Sequence, residues 1–188
     1  TGWCLWDDLR INSAYGADQI IIVSASSKTS IGLAYALDED RLGSRVIGLT
    51  SDRNRDFVTG LGCYDQVVSY DDLDAIDASR PSVIVDMAGN TGLTVDLHTR
   101  LAGQMKQTIG VGMTHWDRDQ SNETGSGIIR ERSRFFFAPA HIQMRIKDLG
   151  PDEFSALTTA FLSRAARRAQ GWMQIRELQG LEGMASVH

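Results

Sequence analysis

The densest group of chemically useful side chains lies between Val23 and Leu37, in the run VSASSKTSIGLAYAL. Ser24, Ser26, Ser27, Thr29 and Ser30 surround Lys28 there. The run follows an apolar, β-branched stretch, Gln19 to Ser24, and leads into Ile31 to Asp40, where Ile31, Ala34, Tyr35 and Leu37 share one helical face. A helix that starts this way presents free N–H groups, which bind phosphate. A dinucleotide-binding turn places G-x-G-x-x-G here, because glycine permits the tight turn and the close approach of backbone to pyrophosphate. Only the last glycine, Gly32, is present, and the first two positions fall at Ser27 and Thr29. Two readings stay open: hydroxyls, N–H groups and Lys28 cradle a diphosphate, or Thr29 or Ser30 caps the helix and Lys28 is solvated. Lys28-Thr29 also imitates the GK[ST] end of a P-loop. The residue before the lysine is Ser27, however, and the other required glycine falls at Ile22 inside the strand, which excludes a nucleoside triphosphatase.

The next candidate is the end of Arg45 to Thr50, RVIGLT, followed by Ser51, Asp52, Arg53, Asn54 and Arg55. An NAD site carries Asp or Glu at this strand end, to bind the ribose 2′-OH. Thr50 is neutral, and hydroxyl and guanidinium groups follow it, which suits a 2′-phosphate because Arg pairs with phosphate bidentately. NADP(H) is therefore expected over NAD(H), with Thr50, Ser51, Arg53 and Arg55 at the adenosine end. The alternative makes Ser51 or Asp52 a helix cap and both arginines surface charges. Two further turns follow predicted strands. Asp86-Met87-Ala88-Gly89-Asn90 offers Gly89 for close approach and Asn90 as hydrogen-bonding partner or helix cap. Val111-Gly112-Met113-Thr114-His115-Trp116 offers Gly112, Thr114 and His115. His115 could act as a proton donor, or be a packed histidine beside Trp116.

The elements that must position these turns alternate. Strands are predicted at Gln19–Ser24, Arg45–Thr50, Gln66–Ser69, Ser82–Asp86 and Gln107–Val111, and helices at Ile31–Asp40, Arg53–Leu61 and Thr91–Leu101. Asp71 to Ser79 reads as a surface helix or turn, and Asp117 to Gly127 as a polar loop. Phe135 to Phe137 reads as a short aromatic strand, and Pro151 opens a helix to about Gln170 with Arg164, Arg167 and Arg168 in its last turns. The alternation predicts an α/β fold, a doubly wound parallel sheet with helices on both faces, whose ligands sit at the carboxyl ends of the strands. The chain has 188 residues, 42% hydrophobic and 23% charged, which suffices for one domain. Its net charge of -5 argues against nucleic acid or an anionic membrane as partner. Cys4 and Cys63 form no CxxC and no Cys/His cluster has zinc spacing, so a reducing, cytoplasmic setting and no metal are expected.

With these elements in view, Val23 to Val68 resembles the medium-chain dehydrogenase/reductase superfamily: a strand, the Ser-rich turn, IGLAYAL, then RVIGLTSDRNRDFVTGLGCYDQVV. SASSKTSIGLA, GLTSDRN, VDMAGN and VGMTHW resemble an uncharacterised subgroup of it. The resemblance extends from about Ile20 to Trp116 and points to the zinc-independent, quinone-oxidoreductase-like branch. It implies a Rossmann domain at 19–150, with 151–188 as a helix and tail packed on it. Residues 1–18 read as a lead-in, either a remnant of or a contact to a GroES-like catalytic domain. It also implies that the Asp86–Asn90 turn lies beside the nicotinamide ribose and the Val111–Trp116 turn beside the carboxamide. In relatives the strand comparable to Phe135–Phe137 pairs with its twin across a two-fold, so a homodimer is expected. The function expected is NADP(H)-dependent hydride transfer to a small-molecule carbonyl, quinone or enoyl substrate. A non-catalytic dinucleotide-binding sensor or scaffold is the alternative, and a methyltransferase a distant third.

Overall fold

A computed structural model describes residues 1–112 and 127–173. Thr114, His115 and Trp116, most of the predicted Asp117–Gly127 loop, and the tail beyond 173 lie outside the described residues. Six strands form one sheet: β1 (Gln19–Val23), β2 (Arg45–Thr50), β3 (Gln66–Ser69), β4 (Ser82–Asp86), β5 (Met105–Val111) and β6 (Ser133–Phe136). Their order is β3-β2-β1-β4-β5-β6, and every pairing is parallel. This is the doubly wound arrangement expected of the alternation. β1 and β4, the central strands, are buried at every position, as β-branched runs covered on both faces should be.

Among the described residues, six helices cover the sheet: α1 (Gly2–Ile11), α2 (Lys28–Glu39), α3 (Asp52–Gly60), α4 (Thr91–Leu101), α5 (Ala138–Leu149) and α6 (Pro151–Ala169). Ile20, Ile22, Val83 and Val85 point into one core with α1, α2 and α6, while Ile21, Val23, Ile47 and Ile84 point into the other with Leu97 and Leu101 of α4. The period of two along each strand thus divides the apolar side chains between two cores. Asp71 to Ser79 holds only a 3-10 turn, Leu73–Ala75, tied to α4 by Arg100, which donates to the Ile76 carbonyl. Among the described residues, no helix is long and apolar enough to cross a membrane and no His, Cys, Asp or Glu cluster could hold a metal ion.

Two helices, α1 and α5, were not expected from sequence. α1 buries Trp3, Cys4, Leu5 and Leu9. Its Gly2 meets α2 at Gly32 so closely that a β-carbon on Gly2 would lie 2.6 Å from the Gly32 carbonyl carbon. α1 also carries two buried carboxylates. Asp7 accepts from Arg10 (2.8 Å), His141 Nε2 (2.9 Å) and Arg145 Nε (2.7 Å). Asp8 pairs with Arg134 of β6, whose guanidinium also lies over the Tyr15 ring. A charge is stable in a protein interior only when paired and hydrogen-bonded. Burial disfavours ionised Asp7, but the hydrogen bonds from His141, Arg10 and Arg145 outweigh it and hold the carboxyl at about 2. Tyr15 lies in a left-handed turn, Ser13 to Gly16, in which each residue has positive φ. α6 is fastened to α2 in turn: Arg164 donates to Glu39, Arg168 pairs with Asp38, and Trp172 Nε1 donates to the Tyr35 hydroxyl.

Asp7→Ala is expected to destabilise the fold by about 3–5 kcal/mol, because Arg145 loses its buried counter-charge and His141 its hydrogen-bond partner. Urea unfolding checks this. The folded Asp7 carboxyl lies below its ordinary 3.8, so its contribution is complete above that pH and fades as pH falls to about 2. That contribution is about 2 kcal/mol, and Asp7→Asn should flatten the stability–pH curve over this range.

Candidate functional site

α2 leaves β1 toward one face and α4 leaves β4 toward the other, so a crevice opens at the carboxyl ends of these adjacent strands. That is where open parallel sheets place ligands. The turn on the β1 side begins at Ser24, whose φ is +61°. The left-handed position that glycine usually fills is thus Ser24, and not Ser27 or Thr29, where the glycine fingerprint placed it. Ser27 N–H donates to the Ser24 carbonyl (2.9 Å) and closes the turn. Ala25, fully buried, donates to the Leu49 carbonyl (3.0 Å) and accepts from the Tyr64 hydroxyl (2.9 Å).

The helix begins at Lys28, three residues before the predicted start, and its cap is Ser27 and not Thr29 or Ser30. Ser27 Oγ accepts from Ser30 N–H (3.2 Å) and lies 2.8 Å from Ser30 Oγ. Ser30 is fully buried, with Met87 Sδ 3.0 Å from its hydroxyl. The hydroxyls therefore divide: Ser27 and Ser30 serve the fold, and Ser26 accepts from Asn54 Nδ2 of α3 (3.2 Å). Lys28 is exposed and Thr29 half-buried at the helix start. The backbone N–H groups of Ser26, Lys28 and Thr29 have no partner among the described residues. Gly32 lies on the far side of the helix from this mouth, against α1.

At the end of β2, Thr50 is almost fully buried and its Oγ1 has no partner among the described residues. Ser51 occupies the cap position of α3 but its side chain makes no capping bond, and Asp52 is exposed in the first turn. Arg53 and Arg55 are exposed and make no ion pair among the described residues. At the end of β4 the chemistry is committed to shape. Asp86 Oδ1 accepts from Ala88 N–H (2.8 Å) and Gly89 N–H (3.1 Å), and Oδ2 accepts from Thr94 Oγ1 (3.2 Å). Asn90 caps α4, accepting from Leu93 N–H (3.2 Å), and so takes the second of the roles open to it. Met87, between them, bridges the two turns at the floor of the crevice.

β5 ends at Val111, with Gly112 beyond it in a left-handed conformation (φ +73°). The chain is held again at Ile129, whose N–H donates to His98 Nδ1 (2.9 Å), so His98 Nε2 carries the proton and donates to Thr108 Oγ1 (2.8 Å). Burial lowers the His98 pKa, in keeping with a neutral ring. At the carboxyl ends of β5 and β6 lies an apolar groove of about 430 Å³, lined by Val111, Gly112, Phe135, Phe137 and Pro139 among others. Phe136 is buried against His141, whereas Phe135 of β6, the last strand of the sheet among the described residues, and Phe137, the cap residue of α5, are exposed.

The family model described as "Protein of unknown function (DUF2855)" matches residues 1–188. The chain belongs to that family. No curated protein matches this family member. Among solved structures, one assigned as an enoyl reductase domain of polyketide synthase is 14% identical with a TM-score of 0.48, over 95% of this chain and 97% of that one. A mutant form of enoyl thioester reductase from Candida tropicalis is 15% identical with a TM-score of 0.49, over 86% of this chain and 46% of that one.

The sequence reading missed Ser24, Asn54, Tyr64 and Met87 as shapers of the crevice. Only Tyr64 left a signal, the glycine in the middle of RVIGLT over which its ring lies. Ser24→Gly is expected to raise stability by about 0.5–1 kcal/mol, since a side chain in the left-handed region is strained, and Ser24→Val to lower it by more. Thermal and urea unfolding of the two variants check this.

Proposed function

We propose that this chain is the NADP(H)-binding domain of a reductase of the medium-chain dehydrogenase/reductase type. One observation carries the reading: at the β1–β4 switch point, three backbone N–H groups without partners among the described residues meet Lys28 at the start of α2. Such a start attracts the charge of a diphosphate. The residues fit the rest of a dinucleotide in the same order. The orphaned Thr50 hydroxyl and the neutral β2 end suit an adenosine ribose, and Arg53 and Arg55 beyond it suit a 2′-phosphate. The Gly89 turn and Gly112 lie on the side where the nicotinamide half would run. The bound cofactor supplies the hydride; the chain fixes its orientation and excludes water on one side. The apolar β5–β6 groove suits an apolar carbonyl, quinone or enoyl substrate. Thr114 and His115 are proposed beside the nicotinamide carboxamide on the strength of the resemblance alone.

A second reading, a non-catalytic dinucleotide sensor, is favoured by the state of the polar groups. Asp86 and Asn90 are committed to holding their turn, and His98 is buried and doubly hydrogen-bonded. This chain alone is expected to bind dinucleotide and to reduce enones, quinones and aldehydes poorly or not at all; robust turnover with NADPH would mean a complete active site and would remove the sensor reading. A homodimer is proposed through the edge of β6, where Phe135 and Phe137 leave apolar surface beside unpaired backbone.

NADPH is expected to bind at least tenfold more tightly than NADH, and Arg53→Ala to reduce that preference by about tenfold. Side-by-side calorimetric titrations measure both, and equal affinities unaffected by the substitution would remove the NADP(H) assignment. In sedimentation, the chain should run as a dimer that Phe137→Lys dissociates. Phe136→Lys is unsuitable, because Phe136 is core. A monomer at high concentration defeats the dimer.

A further inference from the structure

We infer that Tyr64 is a positioning residue that sets the donors of the turn after β1 for a diphosphate. The inference rests on the dinucleotide reading for the identity of the ligand, and on the geometry of one peptide unit for the rest. Tyr64 lies beyond α3, 39 residues from Ala25 along the chain, yet its hydroxyl donates to the Ala25 carbonyl at 2.9 Å. The reach is possible because the phenol ring lies directly on Gly48 in the middle of β2. A β-carbon there would sit 2.9 Å from the ring. Strand β2 is thus hollowed at one position so that an aromatic ring can pass to the next turn.

The hydrogen bond does two things. First, the carbonyl and N–H of a trans peptide point in opposite directions. Clamping the Ala25 oxygen to Tyr64 therefore aims the Ser26 N–H away from Tyr64, and that N–H has no partner among the described residues. Secondly, the Ala25 carbonyl is the acceptor that Thr29 N–H would take if the helix began a turn earlier. With Tyr64 on that oxygen, the helix starts at Lys28 and the Thr29 N–H is left over. Ala25 is fully buried, so its oxygen has no water to replace a lost phenol. Burial also pushes the Tyr64 phenol well up, which keeps it a donor throughout the working pH range. Asn54 Nδ2 holds the neighbouring Ser26 hydroxyl at 3.2 Å, so the turn is gripped from the α3 side twice.

The test compares the wild-type chain with Tyr64→Phe, which keeps the ring on Gly48 and removes only the hydroxyl. Three probes are titrated by calorimetry: NADPH, inorganic pyrophosphate and 2′-AMP, the last carrying the adenosine end without the diphosphate. Tyr64→Phe is expected to weaken NADPH and pyrophosphate by about tenfold and to leave 2′-AMP unchanged. The Ser26 amide resonance should also move in the ligand-free spectrum. Equal affinity of both proteins for NADPH and pyrophosphate overturns the inference and leaves the dinucleotide reading intact. Equal weakening of 2′-AMP and pyrophosphate also overturns it, since the hydroxyl then serves the fold generally. Wild-type binding of pyrophosphate but not NADPH removes the dinucleotide reading, and the tenfold loss of pyrophosphate in the variant still supports Tyr64. Binding of none of the probes overturns both. If Tyr64→Phe does not fold, Asn54→Ala, which frees the Ser26 hydroxyl, must show the same split between pyrophosphate and 2′-AMP, and its failure to do so overturns the inference.

Discussion

Everything at the mouth of the crevice depends on how the chain leaves β1. A buried backbone group must be hydrogen-bonded, and Ala25 meets that requirement with two elements at once, its N–H on β2 and its carbonyl on Tyr64. The left-handed Ser24 is tolerable only because the residue after it is held this firmly, since strained dihedrals persist where their surroundings over-determine them. From that fixed point the helix cap and the start of α2 follow in order.

The opposite bank of the crevice is built on a different economy of groups. Asp86 is a carboxylate at a strand end, where catalytic carboxylates are often sought, but both of its oxygens are taken up by its own turn and by Thr94. Those bonds shape the turn between β4 and α4. Met87 then fills the space between the banks with a soft, weakly accepting sulfur against the Ser30 hydroxyl.

How much of this was legible depends on the kind of interaction. QIIIV, RVIGLT and SVIVD announced buried parallel strands by composition alone, and the order of elements followed. α1 and α5 stayed hidden because part of their packing surface is charged. Asp7, Asp8 and Arg145 are buried, whereas such side chains usually lie in solvent. The turn after β1 was located correctly but its details were not. The cap fell at Ser27 because the helix begins at Lys28, in a polar stretch that carries no apolar period to mark its start. No sequence signal distinguishes a left-handed serine from its neighbours in a run of serines. The Tyr64 contact joins residues that are neighbours only across two strands.

The paired charges between α1 and α5 have a consequence for the order in which the molecule assembles. Asp7 meets His141 and Arg145 across 134 and 138 residues of sequence. Until α5 arrives, α1 seated on the sheet leaves Asp7 with Arg10 but without His141 and Arg145. Closure of that face is then expected late in folding, because a loop of 138 residues must be drawn together first. The same bond makes the two helices one cooperative unit in the native state: when either opens, the other loses the partner that kept its charge inside, and amides in both should exchange with solvent at a common rate.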